Sequence, residues 1–374
     1  MYRELENLAN SDLYPFHMPG HKRMSLDSCL DGALSIDITE IDDFDNMHHS
    51  EGIIKELEIK MAEVFGGKNA YILVNGSTSG ILSAISSCTT RGGKILMARN
   101  SHKSAYNAAF LNELDVRYLY PTKLEPFGIN GGIRPEDVCE ALRADTDIEA
   151  VFITSPTYEG VISDVRGISE ACHDAGVPLI VDSAHGAHLG LFEKFSKEYN
   201  ADAAIKCGAD IVICSLHKTL PSFTQTAMVL VDSKLIDIEK FKMYYSIFQT
   251  SSPSYVFMAG IDKCVELIKE SGQERYTELD RRLTKLRAKK YKNIHIFGPE
   301  YIGKDAVYGF DVTKLCIAAD GLSGKELYDR LRCIFHLQCE MAMGSYALLM
   351  TTLMDTDDGF NRLETALERI DEDI

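Results

Sequence analysis

Val177-Pro178-Leu179-Ile180-Val181-Asp182-Ser183-Ala184-His185 is an apolar run that stops at a carboxylate. Ile211-Val212-Ile213-Cys214-Ser215-Leu216-His217-Lys218 repeats the pattern and ends on an amine, 36 residues beyond the acid. Short runs rich in Val and Ile read as strands covered on both faces, which belong to parallel sheets. Groups just past such strands gather along the carboxyl edge, where open α/β sheets hold their ligands.

The same alternation extends in both directions. Between 51 and 255 a helix at 52–65 is followed by strands at 70–74, 94–98, 116–120, 150–153, 179–182, 211–214 and 227–231, with helical stretches such as 135–144 between them. This pattern predicts an α/β fold whose large domain holds a mainly parallel, seven-stranded sheet with helices on both faces. Residues 1–50, with turns at 14–22 and an acidic stretch at 37–45, read as an N-terminal arm. From 256 to 374, amphipathic helices at 256–270 and 274–290, strands at 306–312 and 347–353, and a helix at 358–370 predict a small C-terminal α+β domain.

Composition narrows the function. With 374 residues, 45% apolar and 25% charged, the chain suits one large domain and a smaller one. A formal net charge of -17 and the lack of a basic run exclude a nucleic-acid surface, and acidity suits a cationic substrate. Ten cysteines without a CxxC read as reduced residues of a cytoplasmic protein. The N-terminus lacks the apolar stretch of a signal peptide, and no segment is apolar enough to span a membrane.

The amine and the acid match what pyridoxal phosphate asks of a protein: a lysine, Lys218, for the Schiff base, and a carboxylate, Asp182, to keep the pyridine nitrogen protonated. A phosphate site is offered by Asn75-Gly76-Ser77-Thr78-Ser79-Gly80, where a strand passes into a helix start. Ser and Thr are also ordinary helix caps. His102, past the next strand, has a flat ring suited to stacking on a heteroaromatic, although capping is the plainer role. Lys103 is a rival for Lys218 but opens a helix without an apolar strand before it. Ser215 offers a hydroxyl to a phosphate, and His217 adjoins the amine. Desolvation near cationic groups lowers a lysine pKa and favours the free amine. His185 and His188 invite a zinc reading, but no further ligand stands at a recognised spacing, so no metal is expected.

Taken together, the chain resembles the prokaryotic ornithine/lysine/arginine decarboxylase family, pyridoxal-phosphate enzymes of fold type I, the aspartate aminotransferase fold. The matching segments are Met18-Pro19-Gly20-His21, Asp37-Ile38-Thr39-Glu40, Asn75-Gly76-Ser77-Thr78, Asn100-Ser101-His102-Lys103-Ser104, Pro156-Thr157-Tyr158-Glu159-Gly160, Asp182-Ser183-Ala184-His185 and Ser215-Leu216-His217-Lys218. The resemblance implies Lys218 as the cofactor lysine, Asp182 at the pyridine nitrogen and His102 on the ring, with Ala184 and His185 beside it. It implies Ser77, Thr78 and Ser215 at the phosphate and His217 near the imine. Family members complete the phosphate site from a neighbouring subunit; the matching stretch, Gln249-Thr250-Ser251-Ser252-Pro253, implies a homodimer with shared sites. Larger members carry a wing domain and an extended C-terminal domain, so this chain is expected to be a compact member.

The implied reaction is decarboxylation of lysine, ornithine or arginine to a polyamine-type amine. Asp43, Asp45 and Glu340 are candidates for the carboxylate that would recognise the substrate's cationic end. Alternatives are an aminotransferase or Cβ lyase on the same cofactor, and a catalytically silent binding protein. An aminotransferase usually needs an arginine for the α-carboxylate, and no arginine here has a clear claim.

Overall fold

The computed structural model describes residues 1–374, and its largest sheet has seven strands: β1 (Asn69–Leu73), β2 (Lys94–Ala98), β3 (Asp115–Leu119), β4 (Ile148–Thr154), β5 (Leu179–Asp182), β6 (Ile211–Ser215) and β7 (Ala227–Val231). Their order is β1-β7-β6-β5-β4-β2-β3. Only β7 runs against the others, antiparallel to both β6 and β1. The sheet is therefore mainly parallel, as expected, and the carboxyl ends of β1, β2, β4, β5 and β6 share one edge. Every residue of β5, β6 and β7 is buried, as strands covered on both faces require.

The helix Gly76–Cys88 follows β1 and lies directly on the sheet. A Cβ at Gly80 would come within 2.6 Å of Leu73 Cδ1 and 2.9 Å of Val229 Cγ2, so only glycine allows this approach. The close fit fixes where the first turn of that helix stands relative to the strand ends.

A second sheet holds β8 (Ile294–Ile296), β9 (Lys314–Ala319), β10 (Met341–Ala342) and β11 (Tyr346–Met350), in the order β8-β9-β11-β10 with antiparallel neighbours. Three expectations need correction. The strand expected at 306–312 shrinks to Gly309–Phe310, paired with Val161–Ile162, because Asp305 and Ala306 take left-handed backbone conformations just before it. The true strand is β9, hidden in the sequence by the lysine that opens it. The two helices at 256–270 and 274–290 are one, Tyr255–Ala288: Gly272 costs a helix about 1 kcal/mol, too little to break one that buries Met258, Ile261, Val265, Tyr276, Leu279 and Leu283. Within the arm, Tyr2–Ala9 is a helix whose Leu5 is fully buried and whose Tyr2 N–H donates to Asp262 at 2.9 Å.

Gly80→Val is expected to destabilise the chain by roughly 2 kcal/mol or more through overpacking against Leu73 and Val229. The check is the urea midpoint, and an unchanged midpoint would contradict the close approach.

Candidate active site

The shared edge of the large sheet encloses a cavity of about 460 Å³. Asp182, the last residue of β5, is 3% exposed and accepts one hydrogen bond, from the Ala184 N–H at 3.1 Å. Burial raises its carboxyl pKa, while the Ala184 N–H, Lys218 and His102 pull it back. Lys218 lies in the single helical turn Leu216–Thr219 after β6. Its Nζ stands 3.1 Å from His185 Nε2. Desolvation lowers the pKa of this amine, opposed by Asp182 and then Glu340. His185 is held well below the ordinary imidazole value, by burial first and then by Lys314 and Lys218. Burial thus favours the uncharged form of both groups in this contact.

The helix Gly76–Cys88 begins at the same cavity, and no side chain caps its first turn. Gly76 has φ +74°, a left-handed conformation that turns the chain into the helix. Ser215 Oγ donates to Ser77 Oγ at 3.0 Å, tying the ends of β6 and β1 together, and Thr78 also lines the cavity. Two glutamines fix this turn from behind. Gln249 accepts from the Asn75 N–H at 3.2 Å and donates to the Ile72 carbonyl at 2.9 Å, and Gln225 donates to the Val74 carbonyl at 2.6 Å. Gln249 opens the stretch matched to the family's shared phosphate site, yet its bond to this turn, like that of Gln225, leaves no local pattern because the partner backbone is distant in the chain.

His102 caps the helix Lys103–Leu111: its Nδ1 accepts from the Ser104 N–H at 3.3 Å and lies 2.7 Å from Ser104 Oγ. Capping and lining the cavity are therefore combined in one residue. Partial burial lowers its pKa, with Asp182 opposing. His217 donates from Nδ1 to the Thr226 carbonyl at 2.8 Å. Ala184 completes the set on the cavity wall.

Other residues stand elsewhere. Lys103 is exposed and outside the cavity lining, and Ser251 is exposed beyond the helix Ile238–Phe248. His188 Nε2 bonds Asp311 at 3.0 Å while His185 faces Lys218, so the two rings do not converge on a common point. Asp45 accepts from the N–H groups of Gly52 and Ile54 at the start of the helix Ile53–Phe65, and with Asp43 it borders a different cavity; both are corrected as candidates for the substrate's cationic end. Glu340 remains: its carboxylate accepts from the Tyr158 hydroxyl at 2.6 Å, and the Tyr158 ring lies 4.2 Å, centre to centre, from that of His185. Thr157, Tyr158 and Glu159, within the family-like segment 156–160, carry no role that their local sequence reveals, and all three line the cavity.

Three buried atoms in the lining, Asn100 Oδ1, Thr154 Oγ1 and His185 Nδ1, have no hydrogen-bond partner in the chain. With the single donor at Asp182 and the uncapped helix start, they fit a polar, phosphorylated heterocycle.

Fold and site together define the class of the fold type I pyridoxal-phosphate enzymes. The structure aligns with the constitutive lysine decarboxylase of Escherichia coli at a TM-score of 0.82 and 18% identity, over 99% of this chain and 60% of that one, so the chain spans about three fifths of that solved relative. Among curated proteins it is similar to the arginine decarboxylase of Bacillus subtilis, 30% identical over 99% of this chain and 76% of the relative. A second, from Halalkalibacterium halodurans, is 31% identical over 95% and 73%. The family model for the Orn/Lys/Arg decarboxylase major domain matches residues 1–318, and the chain belongs to that family. Decarboxylation of a basic amino acid is the activity this family carries.

In the cofactor-free chain, Lys218 is expected to acylate at lower pH than the surface lysines, because it is desolvated. Asp182→Asn removes the charge that opposes this shift, so the reaction should move to still lower pH. Site-resolved mass spectrometry after acetic anhydride pulses across a pH series checks both; a Lys218 profile matching surface lysines would contradict the burial.

Proposed function

We propose that the chain is a pyridoxal-phosphate-dependent decarboxylase that converts a basic L-amino acid, arginine first among the candidates, into CO2 and a polyamine-type amine, and that it works as a cytoplasmic homodimer. The observation that carries this reading is the meeting of Lys218 and Asp182, from adjacent strand ends, in one cavity with an uncapped helix start and His102. Arginine is favoured by relatives of that printed name at 30–31% identity over nearly the whole chain. No helix is long and apolar enough to cross a membrane. In this reading residues 1–50 are an arm, 51–255 the cofactor-binding domain and 256–374 the small domain.

Ser77, Thr78 and Ser215 would hold the phosphate with the first-turn N–H groups. Asp182 would keep a proton on the pyridine nitrogen, His102 would cover the ring, and Ala184, His185 and His217 would line its surroundings. When bound, pyridoxal phosphate supplies a cationic ring that takes up the electron pair left at Cα as CO2 departs. The Asp182 charge is fixed in place beforehand, so stabilising that ring costs no reorganisation during the reaction. The substrate loses CO2 and gains one proton at Cα, which Lys218 or His217 would deliver. Glu340, oriented by Tyr158, would face the substrate's cationic end.

A second copy would supply Ser251, from the exposed stretch after Gln249, to the phosphate site. Exposed Leu13, Tyr14 and Phe16, the last 91% exposed, form an apolar surface on the arm that such a partner would cover.

The test is an absorbance scan with added cofactor, then assay of arginine, lysine and ornithine for CO2 and amine. Lys218→Ala is expected to lose both the protein-bound cofactor band and turnover; keto acid in place of CO2 would sink the reading. Glu340→Gln is expected to raise KM for the basic substrate ~10-fold with a smaller effect on kcat, as loss of a ground-state contact predicts.

A further inference from the structure

Behind the cavity wall lies a charge cluster with no part in the functional reading so far. Lys314 opens β9 and is fully buried, and Asp311, 1% exposed, lies three residues before it. Asp311 Oδ1 accepts from His188 Nε2 at 3.0 Å, the Thr313 N–H at 3.0 Å and Thr313 Oγ1 at 2.7 Å. Its Oδ2 stands 3.8 Å from Lys314 Nζ, and neither atom has a hydrogen-bond partner. Complete burial lowers the pKa of the Lys314 amine and leaves three donors unused, while the adjacent Asp311 carboxylate opposes that shift and favours the charged form. The stem of Lys314 runs under the turn that carries Glu159 into the cavity lining: a Cβ at Gly160 would meet Lys314 Cγ at 3.0 Å.

His188 and His185 belong to one tight turn after β5, closed by Gly186 N–H to the Ser183 carbonyl at 2.8 Å and Leu189 N–H to the Gly186 carbonyl at 3.0 Å. The anchor of His188 on Asp311 therefore sets the place of His185 against Lys218. The charged and titratable groups around His185 are Lys218, Tyr158 on its ring face, and Lys314, Asp311 and His188 behind it.

We propose that Lys314, held by Asp311, is a positioning cation that keeps His185 an uncharged hydrogen-bond acceptor for the Lys218 amine. The chemistry follows from the lone pair. With its proton on Nδ1, an uncharged His185 accepts an N–H from Lys218 at Nε2 and leaves the amine lone pair free to attack the cofactor aldehyde, whose oxygen leaves as water when the imine forms. A protonated His185 donates into that lone pair and blocks it. A cation behind the ring raises the cost of that extra proton in a low-dielectric setting. The residual negative charge of Asp311 acts the other way, so Lys314→Met should favour protonation twice over, by removing the cation and by leaving the anion unpaired.

This inference rests on Lys218 being the amine that couples to the cofactor, and the experiment separates the two. The His185 ring is followed by 15N NMR in the cofactor-free chain, assigned by its loss in His185→Gln. In the native chain it is expected to stay uncharged well below the ordinary imidazole value of about 6.5; a ring that titrates at that value overturns the inference even if no variant folds. In Lys314→Met the midpoint should move to higher pH, and the rate of coupling to pyridoxal phosphate near pH 7 should fall ~10-fold and recover as pH rises. Lys314→Arg should restore the native profile, which repair of packing alone would not do. Native chain that never couples to pyridoxal phosphate would refute the functional reading; native coupling with an unshifted Lys314→Met profile would refute this one.

Discussion

The structure depends on holding a carboxylate and an amine, both largely out of water, at the ends of neighbouring parallel strands without letting them neutralise each other. Asp182 finds one backbone donor, and Lys218 bonds an uncharged imidazole instead of the acid. Each is left with part of its electrostatic demand unmet, which is the condition a bound cationic heterocycle would relieve. Separation is enforced by the backbone: β5 and β6 pair in fixed register, with Asp182 opposite Ile213, while Lys218 sits a helical turn beyond the end of β6.

That arrangement is stable only because the sheet beneath it is almost wholly apolar. Strands buried at every position contribute about 25 cal/mol per Å² of apolar surface removed from water, and this offsets the polar strain concentrated along one edge. The helix Gly76–Cys88 is drawn onto this surface through Gly80, which brings its unpaired N–H groups to the cavity. Packing and ligand site are thus one feature.

What could be read from the sequence follows the same logic. The seven strands, Lys218, Asp182 and the helix start at Gly76 were legible because a run of Val, Ile and Leu ending on a polar group leaves a local signature. Gln249, Gln225 and Tyr158 were not, because their roles come from partners far away in the chain. Strand β9 was missed since a lysine normally marks a surface, and here it is fully buried against Asp311. Asp45 was misjudged for the opposite reason: an acid before a helix is first a cap, and that is its work here.

The turn from Thr157 to Gly160 joins the two sheets in function as well as in space. On one side Thr157, Tyr158 and Glu159 line the cavity. On the other, Glu159 accepts from the Tyr346 hydroxyl at 2.8 Å, its carbonyl faces Cys316 Sγ at 3.6 Å, and the Gly160 carbonyl accepts from the Asp311 N–H at 2.8 Å. Val161–Ile162 then pairs with Gly309–Phe310, so the segment cannot shift without disturbing the entry to β9. Glu340, which precedes β10, reaches the same turn through Tyr158. A change in the small sheet therefore reaches the cavity lining at Tyr158, and through Asp311 and His188 the turn that holds His185 beside the Lys218 amine. Residues after 256, remote in sequence from the strand ends that hold the cavity, thus set the electrostatics on both sides of it.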